Sequence, residues 1–308
     1  MKICVTGAAG NIGQILIPML FNGSIFPNIK ITLSLLDINN EPQIKAMNGI
    51  KLELHDCNFP LLEDVLVYTD AKEAFKDCDV IVFLGGYPRK PGMERRDLLQ
   101  INGKIFTGQA EALAGAKPNV KCLVVANPCN TNAKILYKKI QEFKIPINKE
   151  NITCLSRLDQ NRANSIYKEI NTGKEANMFI WGNHSTSCVP DSIDQEVTVD
   201  LAFMEKVQKR GAEIINVKGT SSSFSAAKAI ADHLYDWYHG SNKIVSMGVV
   251  SNGEYGIKEG LVCSFPTKCT GDWKYEIIKD IQISDEKKKL IFISVKELED
   301  EEKEISDI

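Results

Sequence analysis

Three residues in the second half of the chain could perform acid–base chemistry on an acidic substrate. Asp159 and Arg162 stand in the segment SRLDQNR, and His184 follows in IWGNHS. A histidine exchanges protons near neutral pH, and a carboxylate on its second ring nitrogen fixes the tautomer and stabilises the imidazolium. An arginine guanidinium suits bidentate capture of a carboxylate. These residues indicate an enzyme that moves a proton on a bound carboxylic acid, with His184 and Asp159 as catalytic candidates.

The N-terminal segment VTGAAGNIG has the pattern of a phosphate-binding loop, because its glycines directly follow a predicted strand and open a predicted helix. In that context backbone N–H groups and the helix N-terminus can receive a pyrophosphate, although a plain tight turn is the alternative. The predicted cofactor loop comprises Gly7, Gly10, Asn11, Ile12 and Gly13. Asp37 ends the next predicted strand, where an acid accepts ribose hydroxyls and repels a 2′-phosphate. The predicted cofactor is therefore NAD rather than NADP.

The segment GGYPRKPGMERRDLLQING combines arginines with glycines and prolines. Arg89 and Arg95 lie within it, close to Gly85, Gly86 and Gly92. This composition suits a loop that closes over a ligand. Charge alone fits a solvated basic loop equally well, so other features must decide between the two interpretations.

Strands and helices alternate from residue 2 to about residue 145, which predicts a parallel sheet covered by helices on both faces, with ligands at the carboxyl ends of the strands. One long helix is predicted around Gln100 to Ala116. Beyond FKIPINKEN the pattern changes to mixed strands and two helices, near Met204 to Ile215 and Ser222 to His239. We predict an NAD-binding domain over residues 1–147 and a substrate domain over residues 148–308. The terminal segment KELEDEEKEISDI is predicted to form an amphipathic surface helix.

Composition limits the classes of partner and cellular location. The 308 residues suggest two domains, and a net charge of −3 predicts no attraction to nucleic acid or to anionic lipid. Apolar runs are far shorter than the roughly 18 residues of a membrane span. The first predicted strand begins at Lys2, so we expect no removable leader and a cytoplasmic location.

Cysteines and histidines do not have the spacing of a disulfide framework or a metal site. Nine cysteines form no CxxC pair, and only four histidines are present. Apolar runs predict that Cys4, Cys78, Cys122 and Cys154 are buried thiols. His55, His233 and His239 are expected on the surface or at helix ends.

The order of these motifs resembles that of the malate and lactate dehydrogenase family. A glycine loop, a ribose acid, an arginine loop, Asn-Pro at Asn127, the DxxR pair and a histidine follow one another along the chain. The segments GMERRDLLQINGKIF, NPCNTNA, SRLDQNRA, WGNHST, SAAKAI and SMGVVSNG extend the resemblance over nearly the whole sequence, and they are most similar to cytosolic malate dehydrogenases. The resemblance implies a Rossmann-type doubly wound parallel sheet followed by a mixed α+β domain. It also implies NAD-dependent interconversion of (S)-malate and oxaloacetate.

The same resemblance implies a role for each candidate side chain. His184 would be the acid–base group, Asp159 its partner, and Arg162 the ligand of the first substrate carboxylate. Arg95 would polarise the reacting carbonyl on loop closure, and Arg89 would bind the distal carboxylate. Further substrate contacts are implied for Asn127 and Ser222, with Ser221 and Ser223 as alternatives to Ser222. Cofactor contacts are implied for Gly85, Gly86, Asn102 and Asn127. KLELHDCNFPLL resembles the interface helix of the family's dimers, so a homodimer is expected.

Two other interpretations share parts of this pattern. Extended short-chain dehydrogenases and epimerases open similarly but use a Tyr-x-x-x-Lys pair, and the two pairs here, Tyr68 with Lys72 and Tyr275 with Lys279, fall too early and too late in the chain. A non-catalytic NAD-binding protein would lack one of the reacting residues, whereas this sequence has them all.

Overall fold

The computed structural model describes residues 1–88, 93–194 and 196–308, and the side chain of Arg95 lies outside the description. The chain divides into two compact units. Unit 1 comprises Met1–Thr153 and Glu302–Ile308, and unit 2 comprises Cys154–Glu301.

Unit 1 contains a parallel sheet with strand order β3-β2-β1-β4-β5, and β6 lies beside β5. The strands are β1 (Lys2–Thr6), β2 (Ile31–Leu36), β3 (Leu62–Tyr68), β4 (Val80–Phe83), β5 (Lys121–Val124) and β6 (Ile152–Cys154). In the central strand, Ile3 pairs with Val80 of β4. β1 and β4 consist almost entirely of buried residues, as expected for strands covered on both faces.

Helices connect these strands, as the alternating pattern predicted. They are α1 (Asn11–Phe21), α2 (Glu41–Asp56), α3 (Ala71–Phe75), α4 (Arg95–Ala112) and α5 (Cys129–Glu142), with short 3-10 helices at Leu113–Gly115 and Lys149–Asn151. The side chain of Asn40 caps α2 by accepting from the Gln43 backbone N–H at 3.0 Å. Strand order reverses between β1 and β4, so the loops that follow these two strands meet at the switch point where α/β sheets bind ligands.

Unit 2 has the mixed strand and helix composition that the sequence predicted. Its elements are α6 (Arg157–Ile170), β7 (Met178–Trp181), β8 (Val189–Ser192), α7 (Leu201–Lys218), α8 (Phe224–His239), β9 (Val245–Val250), a 3-10 helix (Glu254–Gly256), β10 (Val262–Gly271), β11 (Lys274–Ile277) and α9 (Asp285–Glu304). β10 pairs antiparallel with both β9 and β11, and β7 pairs antiparallel with β8. Trp181, Trp237 and Phe265 are fully buried in a core shared with α9.

The terminal helix begins at Asp285, before the predicted segment. Val295 and Leu298 are buried while most other residues of α9 are exposed or half-buried, so the predicted amphipathic surface helix with one apolar stripe is confirmed. One sequence prediction was wrong. His233 is 1% exposed in the middle of α8. It lies on the face of α8 that packs inward, whereas His55 and His239 are exposed near the ends of their helices as predicted.

The predicted buried thiols are confirmed, since Cys4, Cys78, Cys122 and Cys154 are free and buried. Among the described residues, no helix has the length and apolar character needed to span a membrane. The same residues contain no group of three or more His, Cys, Asp or Glu side chains arranged to hold a metal ion.

Candidate active site

One buried carboxylate in unit 2 contacts both a histidine and an arginine. Asp159 lies in the first turn of α6 and is 3% exposed. Its Oδ1 accepts a hydrogen bond from Nη1 of Arg162 at 3.0 Å, because residues three apart share a helix face. Its Oδ2 hydrogen-bonds Nδ1 of His184, which follows β7. The hydrogen bond to Asp159 is made through Nδ1, so Nε2 is the nitrogen through which His184 could exchange a proton.

The protonation state of Asp159 follows from these two neighbours. Burial raises the pKa of the Asp159 carboxyl, but the charges and hydrogen bonds of His184 and Arg162 outweigh burial, and the net pKa is lowered. The carboxyl is therefore ionised at neutral pH. An ionised partner fixes His184 with its proton on Nδ1 and stabilises the imidazolium that forms on proton uptake.

The guanidinium of Arg162 contacts two further elements of unit 2. Its Nη2 donates to Ser222 Oγ at 3.1 Å, in the segment before α8. A Cβ atom added to Gly211 of α7 would lie 3.5 Å from Nη2, which is an ordinary contact distance, so α7 lies directly beside the guanidinium. Among the described residues, Arg162 Nε is buried and has no hydrogen-bond partner. A substrate carboxylate would supply such a partner.

Of the three consecutive serines, the structure places Ser222 against Arg162. Ser223 is 5% exposed, and its Oγ accepts from Lys218 Nζ at 2.9 Å. Three identical side chains in succession carry no local signal of which one faces the arginine, so the sequence alone left the choice open.

The glycine loop of unit 1 is shaped by close backbone packing. Gly7 has φ +62°, and a Cβ there would lie 2.8 Å from Cα of Gly85. These two glycines meet because β1 and β4 are parallel neighbours whose carboxyl ends face the same edge. A Cβ on Gly13 would lie 2.4 Å from the carbonyl oxygen of Ala8. Only glycine fits at these positions without a shift of the backbone.

The start of α1 presents free N–H groups to this loop. Gly10 caps the helix without a side-chain hydrogen bond, and the first turn, which includes Asn11 and Ile12, carries no acidic residue. The first N–H groups of a helix have no partner within the helix, and the helix dipole favours an anion there. The loop and helix end therefore fit a pyrophosphate group.

Asp37 lies beside the glycine loop at the end of β2. Its Oδ2 accepts from the Ala9 backbone N–H at 3.0 Å, and its Oδ1 accepts from the Ile38 N–H at 2.9 Å. The carboxylate is thus fixed against the loop while remaining partly exposed. This arrangement fits a ribose whose hydroxyls donate to a carboxylate.

Asn102 of α4 hydrogen-bonds two loops of unit 1. It is fully buried, its Oδ1 accepts from the Tyr87 N–H at 2.7 Å, and its Nδ2 donates to the Asn127 carbonyl at 3.3 Å. A Cβ on Gly86 would lie 2.9 Å from the Ala126 side chain, so the loops after β4 and β5 pack closely. Asn102 therefore acts by holding Asn127 and the segment after Gly86.

Two predicted substrate ligands cannot be placed. Arg89 lies outside the described residues. Arg95 begins α4, but its side chain lies outside the description.

Of the two Tyr-x-x-x-Lys pairs, Lys72 forms an ion pair with Glu111 at 2.9 Å.

Comparison with known proteins identifies the family. Residues 1–145 match the lactate/malate dehydrogenase NAD-binding domain, and residues 156–308 match the lactate/malate dehydrogenase alpha/beta C-terminal domain. The chain belongs to the lactate/malate dehydrogenase family. This confirms the family resemblance and excludes the short-chain dehydrogenase alternative.

Relatives across the family agree with the assignment. The chain is 41% identical to a cytoplasmic malate dehydrogenase of Zea mays over 98% of this chain and 96% of the relative. A malate dehydrogenase structure from Naegleria fowleri superposes with a TM-score of 0.94 at 37% identity, covering 100% of this chain and 98% of that chain. The structure of a Trichomonas vaginalis lactate dehydrogenase in complex with NADH and oxamate superposes with a TM-score of 0.90 at 31% identity, covering 100% of this chain and 99% of that chain.

The lactate/malate dehydrogenase family has a defined fold and cofactor. The predicted Rossmann-type sheet followed by an α/β domain is confirmed, as are NAD as the cofactor and NAD-dependent dehydrogenase as the enzyme class.

One set of contacts to the His184 loop was missed by the sequence analysis. Helix α9 hydrogen-bonds this loop through Ser294, Glu297 and Glu301, which occupy one helix face. The spacing of these three residues was the available signal, but the segment was interpreted only as an amphipathic surface helix, with no partner predicted for its polar residues.

Proposed function

We propose that this enzyme interconverts (S)-malate and oxaloacetate with NAD, with His184 as the acid–base group. The observation that carries the proposal is the single Asp159 carboxylate that contacts both His184 and Arg162. It couples a proton acceptor to a carboxylate ligand within a chain of the lactate/malate dehydrogenase family. Malate presents both required groups on adjacent carbons, a C2 hydroxyl and a C1 carboxylate.

The proton follows a defined route in malate oxidation. Arg162 binds the C1 carboxylate through its guanidinium, with Ser222 holding Nη2. His184 Nε2 takes the proton of the C2 hydroxyl, and Asp159 stabilises the resulting imidazolium. NAD, when held by unit 1, would supply the acceptor for the hydride that leaves C2. In oxaloacetate reduction, the imidazolium returns its proton to the developing alkoxide.

Specificity for malate over lactate requires a ligand for the second carboxylate. We assign this role to Arg89 and carbonyl polarisation to Arg95, on the spacing of the arginine loop. Burying these cations is costly unless a dianion neutralises them, so loop closure should depend on substrate charge. The malate dehydrogenase relatives from Zea mays and Naegleria fowleri support malate as the substrate.

The cofactor contacts are assigned to unit 1. The glycine loop, Gly7, Gly10, Asn11, Ile12 and Gly13, would hold the pyrophosphate, and Asp37 would accept the ribose hydroxyls. The loops carrying Gly85, Gly86 and Asn127 would contact the nicotinamide side, with Asn127 also reaching substrate and Asn102 holding the loops. The close approach of Gly7 to Gly85 supports a shared binding surface on this unit.

We also propose a cytoplasmic homodimer without nucleic-acid or membrane partners. The location is supported by the cytoplasmic relative from Zea mays. The dimer is supported by α2, where Leu52 is 66% exposed within the interface-like segment KLELHDCNFPLL. Sedimentation of the purified protein tests the dimer, since a monomer would contradict it.

The decisive experiment measures NADH absorbance with oxaloacetate. We expect rapid turnover, and His184→Asn should retain NADH binding while losing about 10²–10⁴-fold in kcat. His239→Asn, which changes an exposed histidine in the last turn of α8, is the matched control and should keep the wild-type kcat. NADH binding without turnover by the wild type would instead select a non-catalytic NAD-binding protein, and normal kcat in His184→Asn would remove His184 from the mechanism.

A further inference from the structure

The loop that carries His184 is held by one face of helix α9. Ser294, Glu297 and Glu301 are spaced three and four residues apart, which aligns them on that face. Their hydrogen bonds reach alternate loop residues on both sides of His184, at positions 183, 185 and 187. All of these residues belong to unit 2.

Glu297 is the centre of this contact. One carboxylate oxygen, Oε2, accepts from Ser185 Oγ at 2.5 Å and from Ser187 Oγ at 2.5 Å. The Ser187 backbone N–H donates to Ser185 Oγ at 3.0 Å, which closes a small ring of bonds. Hydrogen bonds to a carboxylate are about twice as strong as neutral ones. Glu297 therefore fixes the backbone immediately after His184.

The preceding residues are held by the neighbouring positions of α9. Ser294 Oγ accepts from the Asn183 backbone N–H at 2.8 Å, and Glu301 Oε1 accepts from Asn183 Nδ2 at 3.2 Å. Asn183 and Glu301 are 1% and 3% exposed, so this anchor is shielded from water. A Cβ on Gly182 would lie 2.2 Å from Ser294 Oγ, which shows how closely the helix approaches the loop.

We propose that Glu297 is a positioning residue for His184, acting with Ser294 and Glu301 to fix the loop from α9. The proposal rests on the proposed function. Asp159 fixes the imidazole ring at Nδ1. The bonds from α9 fix the backbone on both sides of His184, so the side chain is constrained at its backbone end as well as at the ring, and Nε2 keeps one direction. Displacing a reacting group by about 1 Å can reduce the rate about 10²-fold.

The test compares two alanine variants of the same helix. Glu297→Ala removes the loop contact, whereas Glu299→Ala removes a carboxylate that lies 3.9 Å from Lys296 Nζ on another face. Alanine preserves helix propensity in both. We expect Glu297→Ala to lose about 10- to 100-fold in kcat for oxaloacetate reduction, with unchanged NADH affinity. Glu299→Ala should keep the wild-type kcat.

Two further variants distinguish positioning from charge and from general stability. Glu297→Gln keeps an acceptor oxygen without the charge, so it should recover most of the lost kcat. In a His184→Asn background, Glu297→Ala should cause no further loss, because a residue that acts through His184 has no effect once the imidazole is gone. The proposal is overturned if Glu297→Gln does not recover kcat, or if the double variant has a lower kcat than His184→Asn alone.

The remaining outcomes are also decisive. If Glu297→Ala does not fold, Ser185→Ala and Ser187→Ala remove the same bonds from the loop side and should lower kcat in the same way. Wild-type kcat in Glu297→Ala, or in both serine variants, overturns the positioning role while leaving the proposed function intact. Absence of oxaloacetate turnover in the wild type overturns the proposed function and the inference together.

Discussion

Arg162 donates from Nη1 to Asp159 Oδ1 at 3.0 Å, and the other oxygen of the same carboxylate hydrogen-bonds His184. One buried anion thus contacts both side chains. Burying the Arg162 guanidinium would be costly without a carboxylate beside it. In the proposed mechanism the two side chains have different tasks, binding a substrate carboxylate and exchanging a proton, and the shared carboxylate of Asp159 couples them.

This sharing predicts the effect of Asp159→Asn. An asparagine amide can accept from only one of the two partners through its single oxygen, and it carries no charge to stabilise an imidazolium. We expect a loss in kcat of about 10²-fold or more, with unchanged NADH affinity, because the cofactor contacts assigned to unit 1 are untouched. Steady-state kinetics and NADH fluorescence titration measure the two quantities.

Asp280→Asn, which alters an exposed carboxylate before α9, is the control and should behave as the wild type. Unchanged kcat in Asp159→Asn would contradict a role for Asp159 in the reaction.

The sequence predicted the features that depend on local spacing. Asp159 and Arg162 share a helix face, and the glycine loop follows β1 directly, so both could be inferred from short motifs. Contacts between distant residues were not predictable in this way. Glu297 meets Ser185 across 112 positions of sequence, and nothing local to either residue indicates the other. The apolar stripe of α9 was predictable from its local spacing, but the loop that its polar residues contact was not.

The alternation of strands and helices predicted unit 1 well, because each buried parallel strand is a continuous apolar run. Helix ends were less well predicted. Helix α4 begins at Arg95, not near Gln100, since the charged first turn gives no apolar periodicity. His233 was misplaced although it lies three residues after Ile230 and four before Trp237, a spacing that places it on the buried face of α8.

Asp37 predicts the choice between NADH and NADPH. Its carboxylate is held by the Ala9 N–H at 3.0 Å and would oppose a 2′-phosphate. The wild type should have a much higher kcat/KM with NADH than with NADPH. Asp37→Ser should lower the ratio of these two kcat/KM values by about one to two decades. That range corresponds to a hydrogen bond to a charged group of about 1.5–3 kcal/mol. Kinetics with both cofactors give the ratio.

Glu41→Gln is the matched control, since it removes an exposed carboxylate of α2 that pairs with Lys45 at 2.6 Å. Equal use of NADPH by the wild type would show that Asp37 does not bind the ribose.

His233 predicts part of the acid sensitivity of folding. Burial, followed by the charge of Arg157, lowers the pKa of His233 to about 3, whereas an unfolded histidine titrates near 6.5. Between these values the unfolded chain binds a proton that the folded protein excludes, so His233 lowers stability as the pH falls. The loss approaches about 1.4 kcal/mol per pH unit below about 6 and ceases near pH 3.

His233→Phe removes this titratable group and keeps an aromatic ring beside Trp237. Denaturant unfolding of both proteins from pH 7 to pH 4 measures the difference in unfolding free energy. The wild type should lose stability relative to the variant as the pH falls. His239→Phe, at the exposed end of α8, should not reproduce the effect. Parallel pH profiles for the wild type and His233→Phe would exclude His233 as the source.

Arg89 predicts the preference for oxaloacetate over pyruvate. Pyruvate has a methyl group where oxaloacetate has its distal carboxylate, so an arginine enclosed with pyruvate would have no anionic partner. That penalty is about 3–5 kcal/mol, or two to four decades in kcat/KM. Arg89→Gln should therefore lower kcat/KM for oxaloacetate and raise it for pyruvate. Arg162→Ala should lower both alike, because both substrates carry the C1 carboxylate that Arg162 is proposed to bind. If Arg89→Gln weakened both substrates equally, Arg89 would be a general ligand of the loop, and malate specificity would need another cause.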